Sequence, residues 1–151
     1  MVKWLEQSAF MITLNTGMKI ITNPYATNER LTYDEIRESA NIVTVSHDHG
    51  DHSNVAAVGG KPEVVTEAAP VEIKGIKFSG VASYHDDDSG STREDNIIFC
   101  VEVDGVRVCH LGDLDHPLGD KEVAEIGEVD ILLTPVGRSF TIDARVTTLV
   151  A

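Results

Sequence analysis

The chain has 151 residues, 42% of them hydrophobic and 25% charged, which is the composition of an ordinary globular protein and not of a disordered one. A domain of this length can bury about two-thirds of its unfolded surface. The formal net charge of −13 disfavours non-specific binding to nucleic acid, because lysine and arginine supply the phosphate contacts. An acidic residue interrupts the N-terminus and no run of about 18 apolar residues occurs, so we expect a cytoplasmic protein without membrane insertion.

The first third of the chain predicts a hairpin, a helix and a buried strand. Residues 9–14 and 18–22 are short β-prone runs on either side of a turn. Residues 32–35 read Thr-Tyr-Asp-Glu, a capping box that predicts a helix over residues 32–40. The continuous β-branched run at residues 42–45 is typical of a strand buried on both faces, and it leads directly to His47.

The remaining elements predict a layered α+β or α/β sandwich. The expected strands and helix are residues 63–66, 71–74, 76–82, a hairpin over 99–109, a helix over 121–126 and a buried strand at 131–134. A helix start at Thr141 is followed by the last residue, Ala151, after less than three turns. We therefore interpret residues 1–151 as a single domain, truncated at its C-terminus.

Two cysteines lie in the hairpin that turns at Asp104-Gly105. In the register of that two-residue turn, Cys100 faces Cys109 at a non-hydrogen-bonded pair, where a cross-strand disulfide is geometrically possible. A reducing cytoplasm favours free packed thiols instead, and this is our expectation.

A dense cluster of metal-ligand residues follows the buried strand. Residues 47–52 read His-Asp-His-Gly-Asp-His. His47 and His49 leave an extended segment on the same side and can bind one ion, and Gly50 lets the chain turn so that Asp51 and His52 address a second position. A lone histidine is usually structural, but this unit predicts metal binding.

The four residues His47, His49, Asp51 and His52 match the signature of the metallo-β-lactamase superfamily, which the chain resembles over most of its length. Tyr84-His85-Asp86 and His110-Leu111-Gly112-Asp113 resemble two later motifs of that superfamily. The segments around Trp4 and Thr134 look like the branch that includes ascorbate-6-phosphate lactonase. The resemblance implies an αββα sandwich with the metals at one edge between two sheets.

The resemblance also implies a ligand set for two metals. The first metal would take His47, His49 and His85, and the second would take Asp51 and His52, with Asp113 between them. His110 alternates with neighbouring valines and is expected to pack, and the acidic run at residues 86–88 is expected to be solvated. His116 is close enough to Asp113 in sequence to line the cleft.

Several positions depart from the superfamily pattern. Gln7 stands where relatives often carry histidine, and Asn23 replaces a frequent aspartate that supports the ligands, which weakens their orientation and basicity. Arg138 replaces a frequent glycine and either binds an anionic substrate group or faces solvent. Relatives end with a further histidine at the second metal, and no histidine follows His116 here.

The function implied is that of a hydrolase in which a metal-bound hydroxide cleaves an ester, lactone or phosphodiester bond of a small substrate, with Asp51 or Asp113 orienting the water. Zn²⁺, one or two ions, is the first choice of metal, and Mn²⁺ or Fe²⁺ also suits these donors. The alternatives are a catalytically silent metal-binding domain or fragment that needs a partner chain, and a ribonuclease of the same superfamily. An exposed sheet edge predicts a homo-oligomer.

Overall fold

The computed structural model describes residues 1–27, 32–86 and 93–135. The chain divides into two compact units, Met1–Thr66 and Glu67–Ala151. Each unit is built on its own five-stranded mixed sheet. The single domain predicted from the sequence stays a prediction.

The first unit contains strands β1 to β5 in their chain order across the sheet. The strands are β1 (Val2–Trp4), β2 (Phe10–Thr13), β3 (Lys19–Thr22), β4 (Ile42–Thr44) and β5 (Glu63–Val65). The pairs β1–β2 and β2–β3 are antiparallel, whereas β3–β4 and β4–β5 are parallel. The carboxyl ends of β3, β4 and β5 therefore meet at one edge of this sheet, which is where parallel sheets present polar site residues.

Strand β4 is the buried centre of the first unit. Ile42 and Val43 are fully buried and Thr44 is 2% exposed, as predicted for a strand covered on both faces. Val43 belongs to an apolar cluster with Met11 and Ile21 from the neighbouring strands. A rigid strand thus precedes the histidine loop, so the loop begins from a fixed point.

The second unit has the strand order β10-β9-β8-β7-β6. Its elements are β6 (Val71–Ile73), β7 (Ile76–Asp86), β8 (Arg93–Val103), β9 (Val106–His110), α1 (Asp120–Ile126) and β10 (Ile131–Leu133). Neighbouring strands are antiparallel except β9 and β10, which are parallel. β7 and β8 form a long ladder that extends from Lys77↔Glu102 to Asp86↔Arg93.

The hairpin of β8 and β9 has the predicted register but not the predicted redox state. Asp104 and Gly105 both have positive φ, 52° and 76°, as the two-residue turn requires. Cys100 faces Cys109 with their Cα atoms 4.1 Å apart, and a disulfide joins them. The expectation of free thiols is therefore wrong in this structure, because the pair of closest approach places the two sulfurs within bonding distance.

The prediction of a helix at residues 32–40 is also wrong. These residues are irregular, apart from one bridge between Ser39 and Gly59. Their polar groups bond to distant parts of the first unit: the Asp34 amide donates to Glu6 Oε2, and Glu38 Oε1 accepts from Lys3 Nζ at 2.6 Å. These long-range partners replace the local bonds that the capping box would have made.

The other predicted strands are present, and β7 extends four residues beyond the expected end. Helix α1 matches its prediction within one residue; the Glu122 carboxylate accepts from the Gly119 amide, and Gly127 ends the helix at φ 69°. β1 was missed because three residues give too little alternation to detect. The helix start at Thr141 lies outside the described residues, and within the described ranges no helix is long and apolar enough to cross a membrane.

The disulfide gives a direct test of the second unit. Thiol titration of protein denatured without reductant should detect no free cysteine, and reduction should release two. Reduction should also lower the free energy of unfolding by about 2–3 kcal/mol, because the bridge closes a loop of roughly ten residues. Two titratable thiols before reduction would restore the expectation of free cysteines.

Candidate metal centre

The loop after β4 brings three imidazoles together. His47 is 9% exposed and His52 is 1% exposed, and a ring nitrogen of each lies within 4.8 Å of the other. The His47 ring centroid is 4.4 Å from that of His52 and 4.6 Å from that of the half-buried His49. The structure therefore groups the three histidines of the sequence signature on one short loop.

Asp51 lies beside His52 at a distance that fits shared metal binding. Its Oδ2 atom is 3.3 Å from His52 Nε2. Zinc–nitrogen and zinc–oxygen bonds are about 2.0–2.2 Å, so two such donors on a tetrahedral ion stand about 3.3–3.5 Å apart. The donor types and their separation both fit a divalent ion.

The Asp51 carboxyl is held in its ionised form. Burial alone would raise its pKa, but the hydrogen bond and charge of His52 outweigh that effect, with smaller contributions from the backbone amide of Asp51 and the charge of His47, and lower the pKa to about 2. Asp51 is therefore a carboxylate at neutral pH, which is the form in which a carboxyl group binds a divalent cation.

The connection between β1 and β2 holds Asp51 and His52 from outside the loop. Glu6 and Gln7 both adopt positive φ, 74° and 48°, which is uncommon for residues other than glycine. In this conformation Gln7 Nε2 donates to Asp51 Oδ2 at 3.1 Å, and Ser8 Oγ lies 2.7 Å from His52 Nδ1. The sequence pointed to Gln7, whereas Ser8 was only part of the segment that resembles the lactonase branch and was given no role at the site.

Asn23 lies fully buried at the end of β3, with φ 40°. Its Oδ1 accepts from the Ser46 amide at 2.9 Å, which fixes the carboxamide orientation, since a backbone N–H can only donate. Its Nδ2 then donates to Ser46 Oγ at 2.8 Å and lies 3.2 Å from His52 Nδ1. Ser46 Oγ in turn contacts His47 Nδ1 at 2.9 Å. Asn23 therefore reaches both histidines, one directly and one through Ser46.

The contacts at Nδ1 determine whether Nε2 can bind a metal. A histidine that ligates through Nε2 carries its proton on Nδ1 and donates it to a neighbouring acceptor. Ser46 Oγ can be this acceptor for His47, and Ser8 Oγ can be it for His52. Asn23 presents an N–H group to His52, which competes with that arrangement. An aspartate at this position would accept the Nδ1 proton instead.

The second unit carries the remaining predicted residues. The Asp113 amide donates to Asn96 Oδ1 at 3.0 Å, and this buried asparagine was missed from the sequence. His116 Nε2 accepts from the Tyr84 amide at 3.3 Å and its Nδ1 contacts Pro117 O at 2.9 Å, so both ring nitrogens are engaged. His110 is buried, 4% exposed, as its packing prediction requires.

The His85 side chain and all of Arg138 lie outside the described part of the chain. His85 occupies β7 opposite Glu94, and its side chain is not among the described ones. Arg138 lies outside the described residues, as do two of the three aspartates at residues 86–88. Their roles stay predictions.

Comparison with known proteins identifies the family. The model of the beta-lactamase superfamily domain matches residues 1–151. The chain belongs to this superfamily. A Thermotoga maritima structure, assigned to the zinc-dependent hydrolases of the metallo-β-lactamase superfamily, is 34% identical with a TM-score of 0.79, over 99% of this chain and 68% of that one.

Curated relatives of this metallo-β-lactamase-like chain are named as metal-dependent hydrolases. The UPF0173 metal-dependent hydrolase of Archaeoglobus fulgidus is 28% identical over 93% of this chain and 72% of its own length, and that of Carboxydothermus hydrogenoformans is 27% identical over 95% and 75%. A Parabacteroides distasonis structure with 18% identity and a TM-score of 0.69, over 93% of this chain and 71% of its own, shares the fold. The predicted metallo-β-lactamase fold and membership in a superfamily of metal-dependent hydrolases are confirmed.

The orientation of Asn23 predicts that Asn23→Asp raises metal affinity. The new carboxylate keeps the acceptor for the Ser46 amide and accepts the Nδ1 proton of His52, so Kd for Zn²⁺ should fall about tenfold in competition with a chromophoric chelator. Asn54→Asp is a matched control in the same unit, because among the described residues the Asn54 side chain donates to Tyr25 O. Equal or weaker zinc binding by Asn23→Asp would contradict this interpretation.

Proposed function

We propose that this chain is a hydrolase that holds divalent metal ions through the histidine loop after β4. The observation that carries the proposal is the 3.3 Å separation of Asp51 Oδ2 and His52 Nε2, which suits two donors on one ion.

The proposed ligands form two groups. His47 and His49 would hold the first ion together with His85, and Asp51 and His52 would hold the second, with Asp113 shared by both. The proposed roles of the three loop histidines are supported by the close packing of the His47 ring against the rings of His49 and His52. The contributions of His85 and Asp113 rest on the resemblance of their motifs to those of the superfamily.

The proposed reaction adds water across an ester, lactone or phosphodiester bond. A bound divalent ion would lower the pKa of water to near 7 and stabilise the negative charge that develops in the transition state. The water oxygen bonds to the carbonyl carbon or phosphorus, the bond to the leaving oxygen breaks, and a proton passes to that oxygen. The chain's own residues keep the donors in place: Ser46 and Ser8 hold the imidazoles at Nδ1, and Gln7 holds the Asp51 carboxylate.

Zinc is our first choice of metal and manganese our second, with iron also compatible. Mixed imidazole and carboxylate donors suit all three ions, and the Thermotoga relative is assigned to the zinc-dependent hydrolases. A small-molecule substrate is favoured over nucleic acid by the net charge of −13. RNA retention in a gel-shift assay at physiological salt would favour the ribonuclease alternative instead.

The experiment combines metal analysis with turnover. Protein reconstituted with Zn²⁺ or Mn²⁺ should retain one to two ions per chain and hydrolyse at least one member of a panel of lactone, phosphodiester and β-lactam substrates. Asp51→Asn should lose metal and cut kcat/KM at least 100-fold. Asp48→Asn is the matched control, because Asp48 lies exposed in the same loop and should change neither value.

A metal-binding domain without catalytic activity is the second candidate, and the Asn23 amide facing His52 favours it, because this contact weakens ligand orientation. Stoichiometric metal with no turnover of any substrate in the panel would support it over the hydrolase. An absence of bound metal would contradict both candidates.

We also propose a homo-oligomer, since β10 is an edge strand of the second sheet among residues 67–86 and 93–135, and Ile131 on it is 37% exposed. Sedimentation equilibrium tests this proposal, and a monomer at all concentrations would overturn it.

A further inference from the structure

A buried asparagine lies on the apolar face of β8. Asn96 is 1% exposed, and the next residues of the same strand face, Ile98 and Cys100, are fully buried. Ile98 and Cys100 pack in the apolar cluster of the second unit. A carboxamide in such surroundings is costly unless its polar atoms are bonded, so its partners indicate what it does.

The side chain of Asn96 bonds to two separate segments. Nδ2 donates to Leu111 O at 3.0 Å, and Oδ1 accepts from the Asp113 amide at 3.0 Å. Nδ2 also donates to Ser83 Oγ at 2.7 Å, and Ser83 is itself 2% exposed. Both amide hydrogens and the carbonyl oxygen are therefore used inside the unit.

The two bonds to residues 111–113 fix a turn. Gly112 has φ 61°, and the carboxamide bonds the residue before it and the residue after it. The backbone at Asp113 is consequently held from the side, and with it the direction in which the Asp113 carboxylate leaves the chain. A turn fixed in this way needs little reorganisation when its side chain binds a ligand.

The third bond connects this turn to β7. Ser83 pairs with Asn96 in the ladder, and His85 is two positions further along β7, opposite Glu94. One carboxamide thus ties together the two segments that bear Asp113 and His85.

We propose that Asn96 is a positioning residue for the metal centre: it sets the backbone at Asp113 relative to β7, and so the geometry in which Asp113 meets the metals. This inference rests on the proposed function. Asparagine suits the role because it combines donors for Leu111 O and Ser83 Oγ with an acceptor for the Asp113 amide. Aspartate would place an oxygen against Leu111 O, and alanine would leave both backbone groups without this partner.

The test compares Asn96→Ala and Asn96→Asp with wild type in two measurements on the full chain. In metal-free protein, exchange of the Asp113 amide hydrogen should accelerate at least tenfold beyond any change common to the other β8 and β9 amides. In metal titrations, Kd for the more weakly bound Zn²⁺ should rise about 10- to 100-fold, as expected when a supporting hydrogen bond to a ligand is lost.

Arg107→Gln is the control for general destabilisation of the second unit. Arg107 bonds to Ile126 O and Glu102 and not to the turn, so its loss should lower the melting temperature without changing zinc affinity or selective exchange at Asp113. Asn96→Ser, which keeps one small polar group in the strand, supplies the same readouts if the alanine variant does not fold.

Asp113→Ala separates failure of this inference from failure of the proposed function. If Asp113→Ala loses zinc affinity while a folded Asn96→Ala keeps that of wild type and its slow Asp113 exchange, the positioning role is overturned and the metal centre stands. If Asp113→Ala binds zinc as tightly as wild type, Asp113 is not a ligand, and the proposed ligand set and the role of Asn96 are both overturned.

Discussion

The first unit depends on a buried polar contact at the carboxyl ends of two parallel strands. The amide of Asn23 donates to Thr44 O at 2.8 Å, and its carboxamide bonds both the backbone and the hydroxyl of Ser46. These bonds join the end of β3 to the end of β4 at the point where the histidine loop begins. Because Asn23 and Ser46 are buried, each bond that is lost would leave an unsatisfied group, so the loop has a fixed origin.

The second unit uses the same device for its own candidate ligand. Asn96, buried in β8, holds the turn at Asp113 as Asn23 holds the loop at His47. In each case the carboxamide oxygen accepts from a backbone amide, that of Ser46 or that of Asp113, while the carboxamide nitrogen donates to a second group nearby. In each unit a buried carboxamide therefore holds the backbone next to a predicted ligand.

Features that depend on neighbouring residues could be predicted from the sequence. The burial of β4, the turn at Asp104-Gly105 and the position of α1 each follow from side chains within a few positions. The absence of a helix at residues 32–40 could not be predicted, because the segment is held by bonds to Glu6 and Lys3, about 30 positions away in the sequence. The role of Ser8 was not predicted, although the residue lies in the segment that resembles the lactonase branch. Asn96 belongs to no motif, and its one available signal was a polar residue at an alternating position of an otherwise apolar strand face. The histidine signature was found because its spacing is itself local.

The central claim is that the loop after β4 binds divalent metal through imidazole nitrogen and carboxylate oxygen. X-ray absorption at the zinc edge of the reconstituted protein tests it most directly. We expect a shell of nitrogen and oxygen at about 2.0–2.1 Å, with the outer scattering of at least two imidazoles per zinc. A shell with sulfur at about 2.3 Å, or one of oxygen alone without imidazole scattering, would contradict the account.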